Sequence, residues 1–125
     1  MGRLQRRLGP LVVLLLIGAA ACSSITGDDD EESGTQLELN ETFDEVRSGV
    51  RLILSFDAQA NAFIGTAENT TNSLASRVRV EVHLSNGTEL GPTTPTDLAP
   101  GEVMNIHLPA TTASFATWSA HPEVG

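Results

Sequence analysis

The sequence predicts an all-β protein, a small antiparallel β-sandwich of six or seven strands that follows a targeting segment and an acidic tether. Three observations lead there. Arg77-Val78-Arg79-Val80-Glu81-Val82-His83-Leu84 alternates with a period of two, placing Val78, Val80, Val82 and Leu84 on one face. Arg77, Arg79, Glu81 and His83 fall on the other face. Turn signals then separate short β-branched or apolar runs at roughly 8–12-residue spacing, with no long helical period between them.

Residues 1–21 read as a signal peptide. Arg3, Arg6 and Arg7 form a positive start, and Leu11-Val12-Val13-Leu14-Leu15-Leu16-Ile17 is an apolar run too short to span a bilayer. Gly18-Ala19-Ala20-Ala21 then leads into Cys22, the one cysteine of the chain. This stretch resembles the lipobox of bacterial lipoproteins, with Ala20 and Ala21 in the small positions and Ala19 where Leu is more usual. The resemblance implies cleavage before Cys22, a thioether-linked diacylglycerol and an amide-linked acyl chain. Two attachments are what stable anchoring needs, at about 0.8 kcal/mol per buried CH₂. It also implies a cell-envelope location, in the outer membrane if the cell is Gram-negative, because Ser23 rather than Asp follows the cysteine. An ordinary signal peptide with a chance thiol is the plainer alternative.

Residues 22–35 form the tether. Asp28-Asp29-Asp30-Glu31-Glu32 is a like-charge block beside Gly27 and Ser33-Gly34, with nothing to bury, and is expected to be extended. It lacks the interleaved spacing of a calcium loop. Beyond the first apolar run the chain keeps 4 Arg, no Lys and all 16 acidic residues, a net 4 − 16 = −12. That charge opposes nucleic-acid or anionic-membrane binding through the domain itself. It suits either a high-salt habitat or an ordinary acidic secreted protein. With a single cysteine there is no disulfide framework, so stability must come from packing.

The domain occupies residues 36–125. Gln36-Leu37-Glu38-Leu39 alternates as a short edge strand. Thr42-x-x-Glu45 has capping-box spacing, which predicts one helical turn ended by Gly49. Val50–Phe56 is a strand with Val50, Leu52, Leu54 and Phe56 inward, and Asp57–Asn61 turns it back into Ala62–Glu68. Asn69–Ser73 is a polar loop before the Arg77–Leu84 strand. Asn86-Gly87 closes a hairpin, Pro100-Gly101 makes another turn, and Met104, Ile106 and Leu108 share one side of the next strand. Ser114–Ser119 ends the set, with Phe115 and Trp118 on opposite faces, one in the core and one free to anchor a partner.

From Ala62 to Leu108 the order of features is similar to the bacterial FxLYD domain, an immunoglobulin-like sandwich often carried by lipoproteins. The matching pieces are Phe63–Thr71, Arg77–Leu84, Asn86-Gly87 and Leu98-Ala99-Pro100-Gly101-Glu102. Val82 and Leu84 stand for the family's Phe and Leu, whereas Ser85 and Asn86 replace its Tyr and Asp. The resemblance implies the fold and no particular activity.

No catalytic arrangement is legible. No serine sits in a Gly-x-Ser-x-Gly elbow, no glycine-rich phosphate loop occurs, and Cys22 is committed to lipid. The chain therefore reads as a non-enzyme without a cofactor, a lipid-anchored binding or structural module with an envelope protein partner or none. His83, His107 and His121 offer an alternative. If the strands of His83 and His107 share a sheet, their imidazoles meet on its solvent face, and His121 completes a zinc or copper site. Three solvated surface histidines are the competing reading. Asn40-Glu41-Thr42, Asn69-Thr70-Thr71 and Asn86-Gly87-Thr88 match a glycosylation sequon by chance.

Overall fold

A computed structural model describes residues 34–125. The signal peptide, Cys22 and the acidic run 28–32 lie outside the described residues. Among the described residues the chain is all-β, two antiparallel sheets packed face to face. No helix there is long and apolar enough to cross a membrane. The strands are β1 (Leu37–Glu38), β2 (Thr42–Arg47), β3 (Val50–Asp57), β4 (Ala62–Asn69), β5 (Ala75–Leu84), β6 (Glu89–Leu90), β7 (Thr96–Leu98), β8 (Val103–Pro109) and β9 (Thr117–Glu123). Nine strands exceed the six or seven expected. The excess lies in two- and three-residue pieces, β6 and β7, too short to show a period, and in β2.

One sheet runs β2-β3-β4-β8 and the other β1-β9-β5-β6, with β7 also on β5. The chain crosses between sheets from β4 to β5 and again from β8 to β9, while β4 pairs β8 and β5 pairs β9. This is the interlock of the immunoglobulin fold, where B pairs E in one sheet and C pairs F in the other. Here β1, the first strand, takes the place beside β9 that a last strand takes in that fold.

The predicted helical turn at Thr42 is instead strand β2. Its six residues pair in register with β3 from Thr42↔Ser55 to Arg47↔Val50. Phe43 is thereby buried, and Thr42 Oγ1 bonds Ser55 Oγ at 2.9 Å rather than capping a helix. Ser48 and Gly49 both have positive φ (54° and 80°), the two-residue turn whose twist matches a hairpin. Tertiary pairing outweighs a local capping pattern worth about 1 kcal/mol. Beside this turn Arg51 grips Asp44 through two bonds of 2.9 and 2.8 Å, which lowers the Asp44 carboxyl below its ordinary pKa. Both side chains are nearly half exposed, so the pair adds little stability.

The inward faces supply the core as the alternation requires. Val50, Leu52, Leu54, Val78, Val80 and Val82 are fully buried, each worth roughly 1.5–3 kcal/mol against exposure. Phe63 is central, its ring 4.8 Å from Trp118 and 5.0 Å from Phe56. Phe115 joins the same cluster, 5.3 Å from Phe56 and 6.0 Å from Phe63. Phe115 and Trp118 therefore do not diverge. Residues 114–116 lie before β9 begins at Thr117, so a period-two rule does not govern Phe115.

Asn69 was expected in a polar loop, yet it ends β4 with no exposure. Its amide donates to Ser73 O at 2.8 Å and Leu98 O at 2.9 Å, and its Oδ1 accepts from Thr71 N and Thr71 Oγ1. The side chain thus ties the β4–β5 crossover to β7, and burial rules it out as a glycan acceptor. Asn69→Ala leaves those donors and acceptors unpaired and is expected to cost about 2–4 kcal/mol. Urea unfolding of the variant beside wild type reads this. A shift of the midpoint corresponding to a few tenths of a kcal/mol would show the bonds are dispensable.

Candidate metal site

The β5–β9 pairing decides what the outward face presents. In register, Arg79 lies opposite Glu123, Glu81 opposite His121 and His83 opposite Ser119. Residues 79, 81 and 83 share a face with 119, 121 and 123, because both strands turn their other residues to the core. Glu81, His83 and His121 then each place one ligand atom within 4.8 Å of the others. His83 Nε2 is 3.7 Å and His121 Nε2 3.6 Å from the same Glu81 oxygen, Oε1. The two imidazoles stack with centroids 5.2 Å apart and planes 16° from parallel.

The surroundings differ for the two rings. His121 is only 4% exposed, and its Nε2 lies 3.1 Å from Glu123 Oε2. An ionised carboxylate only accepts, so that nitrogen carries the proton in this bond. Arg79 holds the other oxygen of Glu123 at 3.0 Å and also donates to Arg77 O and Gly125 O. His83 Nε2 is buried with no hydrogen-bond partner, and so is Ser119 Oγ across the pair. Unpaired buried polar atoms are rare and call for an explanation.

Two imidazoles and a carboxylate are ligands suited to zinc or copper. Bonds of about 2.0–2.1 Å put tetrahedral donors roughly 3.4 Å apart. The two nitrogen–oxygen distances of 3.6 and 3.7 Å lie within a few tenths of an ångström of that, and the stacked imidazoles must rotate to bring both nitrogens onto one ion. Glu123 stands beside the same His121 nitrogen, close enough to fill a fourth position.

His107 does not take part. It lies exposed on β8, opposite Ile64 in the other sheet. The condition set by the sequence, that the strands of His83 and His107 share a sheet, fails because the chain leaves β7, which pairs β5, for β8, which pairs β4 in the other sheet. Of the expected ligands, the fold unites His83 and His121 and removes His107, and it adds Glu81. The missed signal was in plain view. Glu81-Val82-His83 and His121-Pro122-Glu123 each set a carboxylate and an imidazole two residues apart, the spacing that shares one face of a strand. Neither a scan of known protein families nor searches of curated proteins and solved structures return a match to this chain.

Proposed function

We propose that this chain is a non-catalytic binding module of a bacterial cell envelope, anchored by lipid on Cys22, and that it binds a borderline divalent metal ion. The ligands are Glu81, His83 and His121, with Glu123 at the rim. The observation that carries the metal reading is the convergence of both imidazole Nε2 atoms on one Glu81 oxygen, with the His83 nitrogen buried and without a hydrogen bond. Sealing such a nitrogen from water without a bond costs about 1–3 kcal/mol, which a coordinated cation offsets. Coordination through His121 Nε2 requires its proton to move to Nδ1, and the bond to Glu123 then gives way to the ion.

The anchor rests on the lipobox resemblance. Intact-mass measurement of the membrane-extracted protein, wild type beside Cys22→Ala, is expected to give a chain beginning at Cys22 with added acyl mass in wild type alone. A chain cut elsewhere with a free thiol would make this a secreted domain. Calorimetric titration with Zn²⁺ and Cu²⁺ tests the metal separately, with one equivalent bound expected. No heat with either ion would leave a module whose ligand is a partner protein.

A further inference from the structure

Natural sheets blunt their edges with short strands, charged side chains or proline. Three edges here follow that rule. Strands β1 and β6 have two residues each, and β2 carries Asp44, Glu45 and Arg47. Strand β8 departs from it. Its seven residues, Val-Met-Asn-Ile-His-Leu-Pro, contain no Asp, Glu, Lys or Arg, and only the terminal Pro109 interrupts the edge.

The backbone of β8 is open on its outer side. Asn69 N donates to Glu102 O and Ala110 N to Asn61 O, which sets Met104, Ile106 and Leu108 as the residues bonded to β4. The N–H and C=O groups of Val103, Asn105 and His107 therefore point away from β4, and β8 pairs with no other strand among the described residues. A groove of about 450 Å³ runs beside them, bounded across from β8 by Thr93, Thr94 and Thr96. The Pro92–Thr96 wall is also uncharged, and Val103 is 52% exposed.

We infer that β8 is a self-pairing edge on which a second copy of this chain docks antiparallel, β8 against β8, joining two four-stranded sheets into one. The side chains choose the occupant. A two-fold axis through Asn105 sets Asn105 opposite its own copy and Val103 opposite His107, each pair exchanging both backbone bonds. No like charges meet, although the chain carries a net −9 that keeps copies apart elsewhere. Self-pairing of β2 under the same symmetry brings its acidic residues onto one short interface. An extended apolar peptide also fits a free edge, and the experiment separates the two.

Opposed Asn105 Cα atoms in a bonded antiparallel pair lie about 5.5 Å apart, within disulfide range. In the full-length protein in membranes, Asn105→Cys is expected to give a covalent dimer under mild oxidation. Val46→Cys, at an exposed position on β2, serves as the control and shares Cys22. Asn105→Pro removes an N–H the fold does not use, and is expected to turn a micromolar dimer of detergent-extracted wild type into monomer by sedimentation velocity. Cross-linking of Asn105→Cys no faster than Val46→Cys, or a wild type monomeric throughout the micromolar range, would overturn the inference. Monomer that binds an added extended apolar peptide would reassign the edge to a foreign partner.

Discussion

Trp118→Ala is expected to remove a third or more of the domain's stability. Trp118 is fully buried on β9, its ring 4.8 Å from Phe63, and its indole N–H donates to Glu38 O at 3.1 Å. Truncation removes a central contact between the sheets and one of the bonds that tie β1 to β9. Large aromatic-to-alanine changes in a core cost about 3–5 kcal/mol. The orphaned Glu38 carbonyl adds about 1 kcal/mol more. A domain of roughly 90 residues has about 5–14 kcal/mol in total, so a third or more of it goes. Thermal unfolding reads the result as a fall of at least about 16 °C, at 4–8 °C per kcal/mol. Trp118→Phe keeps most of the packing and loses the bond, and is expected to fall between the two. A Trp118→Ala protein that melts within a degree or two of wild type would mean the sheets are not joined there.

His121→Ala is expected to abolish metal binding while His107→Ala leaves it unchanged. His121 supplies one of two imidazoles in the cluster, and no other described histidine lies near that cluster. Losing an outer partner of a metal ligand typically costs 10–100-fold in affinity, and losing the ligand itself costs more. Competition against a coloured chelator is expected to show at least about a 100-fold weakening for His121→Ala or His83→Ala. Glu123→Gln is the graded case. It retains a neutral oxygen beside His121 yet gives up the charge held by Arg79, and a weakening within 10–100-fold is expected. His121 is buried and stacked on His83, so the Ala variant also loses packing, and urea unfolding run beside the titration distinguishes a lost ligand from a lost fold. Equal weakening in His107→Ala would mean the ion sits elsewhere.

The sandwich was legible because its central strands obey one strong rule. Val78, Val80, Val82 and Leu84 alternate without exception, and every one is buried. Turn chemistry marked the β5–β6 hairpin, where Gly87 alone takes positive φ (92°) and Gly87 N bonds Leu84 O. The hairpin at Ser48-Gly49 was hidden because Thr42-x-x-Glu45 fits a helix start as well as an edge strand, and only pairing with β3 decides. Half of the candidate site was legible. Alternation put His83 outward, but neighbours across a sheet depend on long-range pairing that spacing does not encode. Residues 81 and 121 sit 40 positions apart and face each other only because the chain crosses the sandwich twice between them. Weighing histidines alone, without the carboxylates two residues away, sent His107 into a cluster that it never reaches.

The chain has only three histidines, so their side-chain nitrogens can be followed one by one in ¹⁵N-histidine spectra as zinc is added. This is the most direct test of the metal site. The imidazole signals of His83 and His121 are expected to move together and stop at one equivalent, with His107 still. Movement of His107 alone, or three signals unmoved at several equivalents, would contradict it.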